Sequence, residues 1–119
     1  MGEIRVIHGT ERAWTALVDP PGENGTGGSE AESFVSPDGT FTTGFWRREP
    51  DTWSFVRPYD EVALILAGHA EIETADGTVI TVGPGDVLIT PKGSSGTWRI
   101  TETIEKFYAI SAEDPEGSS

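Results

Sequence analysis

The chain contains no cysteine among its 119 residues, and its two histidines are His8 and His69. Without cysteine, a disulfide framework, a thiolate nucleophile and a zinc-thiolate site are all excluded. No apolar run approaches the roughly 20 residues of a membrane span, and the first residues lack an apolar stretch of signal-peptide length. We therefore expect a soluble, cytoplasmic protein with one domain and no membrane partner.

Basic residues are also scarce. Eight lysines and arginines face 20 aspartates and glutamates, which gives a formal net charge of −12 at neutral pH. Such a surface repels phosphate backbones and anionic lipid headgroups, so we predict no nucleic-acid partner. We interpret the acidity as a source of solubility in a bacterial cytoplasm rather than as a site for a cationic ligand.

Sustained helical periodicity is missing between residues 33 and 111. The chain instead shows short β-branched and aromatic runs separated by glycine and proline turns, which indicate a sandwich or barrel. The run 61–67 is nearly continuously apolar, as expected for a strand covered on both faces. The predicted strands are 41–48, 53–57, 61–67, 70–74, 78–82, 87–90, 97–101 and 105–110.

The first third of the chain is less regular. Residues 3–7 alternate between polar and apolar side chains, and 14–18 form a second apolar run, so both are predicted as strands. Residues 22–33 are rich in glycine and charge and are predicted as a mobile loop. The expected organisation is N-terminal strands and a glycine-rich loop in 1–33, a barrel core in 34–111 and a disordered tail in 112–119.

Two turn motifs carry a family resemblance. Glu61 is followed by six residues and then Gly68, while Gly85 is followed by five residues and then Pro91-Lys92-Gly93. These spacings resemble the two cupin motifs, and residues 41–110 resemble the subfamily of the ethanolamine-utilisation cupin and ureidoglycine aminohydrolase relatives. The resemblance implies an all-β, single-domain cupin jelly-roll barrel and a homodimer. Its other features are Thr43-Gly44-Phe45-Trp46, Asp60-Glu61-Val62, Gly83-Pro84-Gly85-Asp86, Gly96-Thr97-Trp98, Lys106 and Tyr108.

The histidines of the cupin motifs are absent. Counted back from Glu61, their first two places fall on Phe55 and Arg57 with one spacing, or on Ser54 and Val56 with the other. Gly96 holds the third place. Only Glu61 is left to bind an ion, and an arginine beside it repels a divalent metal. We therefore predict that the protein uses no metal and no other cofactor.

The resemblance also implies which side chains line the barrel. Alternation along a strand places Ala63, Ile65 and Ala67 on the same face as Glu61. The aromatic side chains either wall a small-molecule cavity or simply fill the core. Lys106 lies either inside with the charged pair or outside. The candidate catalytic residues are Glu61, Arg57 and Lys106, and the candidate ligand-binding residues are Trp46, Phe55, Trp98 and Tyr108.

Two functions fit this pattern. In the first, the protein is a metal-independent enzyme of lyase, isomerase or aminohydrolase type, which acts on a small polar metabolite with Glu61 as general acid or base. In the second, it is a non-catalytic module that binds or senses such a metabolite. A structural alternative is that Glu61 and Arg57 form a buried ion pair that fixes strand register. His8 and His69 are predicted at the surface, and 4–7 and 14–18 are candidates to extend a partner's sheet.

Overall fold

A computed structural model describes residues 3–8, 12–16 and 28–112. These residues form eight strands and no helix, which confirms the all-β, single-domain prediction. No helix in this part of the chain is therefore long and apolar enough to cross a membrane. The strands are β1 (Thr15–Ala16), β2 (Ser29–Val35), β3 (Phe41–Arg48), β4 (Thr52–Val56), β5 (Asp60–Thr74), β6 (Val79–Val82), β7 (Val87–Thr90) and β8 (Ser95–Ser111).

Two long strands, β5 and β8, each run through both layers of the fold. The first half of β5 pairs with β7 and with the second half of β8. Its second half pairs with β6 and with the first half of β8. Strands β3, β2 and β1 continue one layer from β8, and β4 adds to the other. All of these pairs are antiparallel, and the two layers enclose one core as a jelly roll.

Strand β5 crosses between the layers at a bulge around Gly68. The β5–β8 register shifts between Ile65 and Ala70, and Gly68 has a φ of +84°. A Cβ atom at Gly68 would overlap the carbonyl oxygen of Thr103. The bulge also ends the simple alternation of faces, because Ala67 is exposed. The prediction that Ala67 points inward is therefore wrong, since a bulge adds a residue that shifts the alternation.

Gly68→Ala is expected to lower the free energy of unfolding by about 2 to 5 kcal/mol, the sum of a left-handed backbone and an overpacked contact. Gly77→Ala is the matched control. Gly77 has a φ of +90° and nothing within 4 Å of an added Cβ, so only the backbone cost of about 1 to 2 kcal/mol applies. Denaturant unfolding measures both, and equal losses would contradict the close approach at Gly68.

The core lies between the two layers and joins both halves of β8. Its largest fully buried side chains are Trp98, Ile65 and Ile104. Two of these, Trp98 and Ile104, come from the first and the second half of β8, so this strand connects the two layers. Four polar side chains are also buried within this apolar core, namely Arg57, Glu61, Thr90 and Lys106.

The strand predictions hold well from residue 41 onward. Strands β3 and β7 have the predicted bounds. The predicted pairs 61–67 with 70–74, and 97–101 with 105–110, are instead the single strands β5 and β8. Glycine at the bulge bends β5 without ending it, so a turn residue was wrongly interpreted as a boundary between strands.

The N-terminal predictions need correction. Residues 3–8 contain no strand, and of the predicted strand 14–18 only Thr15–Ala16 is regular, while 17 and 18 lie outside the described residues. Part of the predicted loop 22–33 is strand β2, which begins at Ser29 and pairs along β3. Its hydrogen bonds come from β3, the next strand along the chain, so the composition of the segment itself gave no sign of it. Residues 22–27 and 113–119 also lie outside the described part.

The apolar run in β5 is not covered on both faces. Its side chains alternate between buried and exposed, and Val62, Leu64 and Leu66 are exposed on the outer face. The prediction of a doubly covered strand is wrong for the single chain. Antiparallel sheets commonly pack one face only, and here the outward face is as apolar as the inward one.

Candidate functional site

A cavity of about 130 Å³ opens into the barrel between the two layers. It has room for several water molecules, or for a ligand of a few non-hydrogen atoms. Its walls combine tryptophan and tyrosine rings with a cluster of buried charges. Small-molecule sites typically have this composition.

The charged cluster is built around the carboxylate of Glu61. Lys106 Nζ donates a hydrogen bond of 2.5 Å to Glu61 Oε2. Arg57 Nε lies 3.4 Å from Glu61 Oε1 and donates a hydrogen bond of 3.0 Å to Thr90 Oγ1. The exposed fractions of Glu61, Lys106 and Arg57 are 5%, 5% and 8%. Two buried cations therefore share one buried carboxylate.

Backbone contacts explain why these side chains converge. Glu61 on β5 lies opposite Thr90 on β7, so the two point to the same face. Arg57 follows β4, and its backbone N–H donates to the Ser94 carbonyl at 2.9 Å, while its carbonyl accepts from the Gly93 N–H at 2.8 Å. The Pro91-Lys92-Gly93 turn seen in the sequence thus anchors the arginine.

The charges in the cluster shift one another's titration. Burial raises the pKa of the Glu61 carboxyl, but the charges of Lys106 and Arg57 outweigh it, so the pKa lies below its ordinary value. Burial also lowers the pKa of Lys106. The charge of Glu61 raises this pKa and the charge of Arg57 lowers it, and the pKa lies below its ordinary value. Glu61 is therefore held ionised, and the ammonium of Lys106 is easier to deprotonate than that of an exposed lysine.

Three tryptophans form the aromatic side of the cavity. Trp53 and Trp98 stack with ring centroids 5.8 Å apart at an interplanar angle of 3°, and Trp46 meets Trp98 edge-on at 6.2 Å. Lys106 Nζ lies 4.8 Å from the Trp46 ring centroid and 5.3 Å from that of Trp98. These faces stabilise a cation where water is excluded. Phe55 does not line the cavity but lies beneath the Arg57 guanidinium, 4.7 Å from ring to Cζ.

Tyrosine and glutamate side chains complete the wall. The Tyr108 hydroxyl donates a hydrogen bond to Glu30 Oε1, which joins β8 to β2. Burial, this hydrogen bond and nearby carboxylates raise the pKa of Tyr108. Burial also raises the pKa of Tyr59, followed by the charge of Glu61. Both phenols therefore remain protonated at neutral pH.

Most sequence-predicted site residues come together here. Glu61, Arg57 and Lys106 form the charged cluster, and Lys106 points inward. Trp46, Trp98 and Tyr108 line the same cavity. His69 is exposed and contacts Glu102 through Nδ1 at 2.8 Å, and His8 is also exposed, as predicted.

Four lining residues escaped the sequence analysis, namely Glu30, Trp53, Tyr59 and Ile110, and so did Thr90, which accepts the Arg57 hydrogen bond. Trp53 was within reach, because it lies two residues before Phe55 on the same strand face. Thr90 required the β5–β7 register, and Glu30 required a strand in a segment that was interpreted as a loop.

The cupin metal places do not fit an ion here. Phe55 and Arg57 are buried whereas Ser54 and Val56 are exposed, so the first of the two spacings applies. A Cβ at Gly96 would lie 2.5 Å from the Glu73 carbonyl oxygen, which leaves no room for a ligand side chain. Both oxygens of Glu61 already face cations, and the described residues contain no cluster of three or more potential metal ligands. A divalent ion needs several converging ligands.

Comparison with known proteins identifies a family and several similar structures. The family profile of the EutQ-like cupin domain matches residues 35–108. A DUF861 family protein from Thermotoga maritima is 30% identical over 54% of this chain and 73% of its own, with a TM-score of 0.53. A protein of unknown function from Rhizobium leguminosarum is 29% identical over 71% of this chain and 82% of its own, with a TM-score of 0.60.

A putative ethanolamine utilization protein Q from Salmonella typhimurium shares the fold at 18% identity, over 87% of this chain and 97% of its own, with a TM-score of 0.66. No curated protein matches. The predicted resemblance to the cupin superfamily and to this subfamily is thereby confirmed.

Proposed function

The chain belongs to the family of EutQ-like cupin domains, and from this premise we propose that it binds a small carboxylate metabolite inside the barrel and transforms it without a metal. The reaction class is that of a lyase, isomerase or aminohydrolase. Glu61 is the general acid or base, Arg57 and Lys106 hold the anionic group, and the tryptophan wall excludes water. The cytoplasm is the proposed location.

The observation that carries this proposal is the charge imbalance of the cluster. Two cations lie at one carboxylate in a place that is nearly closed to water. Glu30, the other carboxylate on the cavity wall, accepts the Tyr108 hydroxyl. A second buried cation at Glu61 is costly, and a bound anion would offset it. The contacts of Arg57 within the described residues involve Nε, so its two Nη groups are the donors that remain for a ligand carboxylate.

The ionised state of Glu61 supports a role in proton transfer. A carboxylate that is held ionised beside a bound substrate is a competent proton acceptor, and the protonated phenol of Tyr59 adds a donor to the same wall. These groups supply both an acceptor and a donor within one small cavity. The proposal therefore assigns proton transfer to Glu61 and leaves recognition to the cations.

The test compares lactate with lactamide, which have the same size but differ in charge. Lactate is expected to bind and raise the melting temperature, whereas lactamide binds weakly. Arg57→Met leaves the Glu61–Lys106 pair in place. It is expected to weaken the binding of lactate by about 1.5 to 3 kcal/mol, the value of one charged hydrogen bond. Titration calorimetry measures the affinity.

Prior treatment with EDTA is the control, and it should leave lactate binding unchanged. A loss of binding after EDTA would mean that a metal holds the ligand. Equal affinity for lactate and lactamide would show that the cluster does not recognise carboxylates.

We also propose that the protein is a homodimer. The outer apolar patch, defined as Val62 and Leu64 on β5 with Val87 and Ile89 on β7, is exposed in the single chain. Val62 pairs with Ile89 and Leu64 with Val87, so the four side chains are contiguous. Contiguous exposed apolar surface of this kind typically marks an interface. A second copy would cover it with the same patch through a two-fold axis.

A further inference from the structure

Lys106 is a buried amine at the wall of the cavity. Its Nζ has Glu61 as its hydrogen-bond acceptor at 2.5 Å, and it faces the rings of Trp46 and Trp98. The chain has one other lysine, Lys92, which is exposed in the turn after β7. The molecule thus contains one buried and one exposed lysine for direct comparison.

The surroundings of Lys106 make its ammonium easier to deprotonate than that of an exposed lysine. Burial lowers the pKa of its ammonium, and the nearby Arg57 lowers it further. A desolvated lysine beside another cation is a setting in which the amine acts as a nucleophile toward carbonyl carbon. An ion pair with a purely structural role needs one cation for Glu61, yet this cluster contains two.

Building on the function proposed above, we propose that Lys106 forms an imine with the carbonyl group of a small 2-oxo acid whose carboxylate is bound by Arg57. The cavity of about 130 Å³ suits acids of two or three carbons. The protonated imine would keep the positive charge next to Glu61. The ion pair present before the reaction is therefore also present after it.

Each proton in this step has a donor and an acceptor. Glu61 takes one proton from the ammonium, and the freed lone pair of Nζ attacks the carbonyl carbon. One hydrogen passes from nitrogen to the carbonyl oxygen, which gives a neutral carbinolamine. Glu61 returns its proton to the hydroxyl group, which leaves as water while the nitrogen lone pair forms the C=N bond. Ammonium and carbonyl become protonated imine and water, with no change in charge or oxidation state.

Reductive trapping tests the proposal on the unmodified protein. Pyruvate or glyoxylate is added with sodium cyanoborohydride at neutral pH, and peptide mapping by mass spectrometry locates the adducts. Of the two lysines, we expect Lys106 to carry the adduct, formed at least about tenfold faster than on Lys92, because the cavity holds the acid beside this amine. Lys106→Arg keeps the cation and should lose the adduct.

Lactate separates this inference from the proposed function, since it has the carboxylate but no ketone. Binding of lactate and pyruvate without an adduct on Lys106 overturns the imine and leaves the carboxylate site standing. Failure of both acids to bind overturns both proposals. Adducts that form at equal rates on Lys92 and Lys106 also overturn the inference, because burial would then give no reactivity. The mapping uses the wild-type chain, so it does not depend on how the variant folds.

Discussion

Replacing Glu61 with glutamine is expected to lower the free energy of unfolding by about 3 to 5 kcal/mol, the cost of removing one partner from a buried ion pair. The amide keeps the size of the side chain but leaves the ammonium of Lys106 and the guanidinium of Arg57 facing a neutral group. Denaturant unfolding at neutral pH measures the loss. An unchanged stability would mean that these charges are better solvated than their burial indicates.

Double substitutions that remove Glu61 together with one of the two cations identify the main partner of Glu61. Lys106 Nζ is 2.5 Å from the carboxylate and Arg57 Nε is 3.4 Å from it. Glu61→Leu with Lys106→Met should therefore recover more stability than Glu61→Leu with Arg57→Met. Replacement of a buried pair by apolar residues of similar volume is often neutral or better. The reverse order would assign the central pair to the arginine.

The loss in Glu61→Gln should also depend on pH. The folded-state pKa of Lys106 already lies below its ordinary value of 10.5, and removal of the carboxylate lowers it further. A lysine whose pKa is lowered by folding destabilises the folded protein most at a pH where it is protonated in both the folded and the unfolded protein. This loss of stability becomes smaller as the pH rises through the folded-state pKa of Lys106 toward 10.5. The stability gap to the wild type should thus narrow between neutral and alkaline pH.

The turnover of Glu61→Gln is a second measurement on this variant. Once a substrate is in hand, Glu61→Gln should reduce turnover by about two to four orders of magnitude if Glu61 transfers a proton. Ligand affinity should change far less, because Arg57 remains. In a protein that only binds or senses its ligand there is no turnover to lose, so these two measurements separate the alternatives that the sequence left open.

Local sequence was enough to find the strands that end at strong turns. Strand β3 ends before Pro50, and β7 lies between Gly85 and Pro91, and both have their predicted bounds. Alternation from Glu61 correctly placed Ala63 and Ile65 inside. These features depend on the chain's own turns and periodicity, which the sequence displays directly.

What escaped prediction depends on contacts between strands. Strand β2 contains one apolar residue in its first five positions, Ala31, and it is a strand because β3 provides its hydrogen bonds. Glu30 therefore could not be recognised as part of the site. The position of Lys106 was open because a lysine in a strand usually faces water. Its inward direction follows from the β8 register and from the carboxylate that it meets.

The outer apolar patch lies partly on β5, the apolar strand whose environment was predicted wrongly. The run 61–67 indicated cover on both faces, but the single chain covers only the inner one. A homodimer through the patch would supply the missing cover, so the sequence signal would belong to the assembly rather than to the fold. Residues 4–7, predicted to extend a partner's sheet, form no strand within the chain, and that pairing stays a prediction.

Val62→Lys is expected to convert a dimer into a monomer. In a two-fold interface each substitution occurs twice, and two lysines brought together in an apolar contact cost several kcal/mol, so the dissociation constant should rise at least about a hundredfold. The control is Val79→Lys, because Val79 is 50% exposed against 46% for Val62 but lies on β6. Light scattering after size-exclusion chromatography gives the mass of each variant. A wild-type chain that is monomeric, or two lysine variants that dissociate alike, would mean that the patch on β5 and β7 is not where the copies meet.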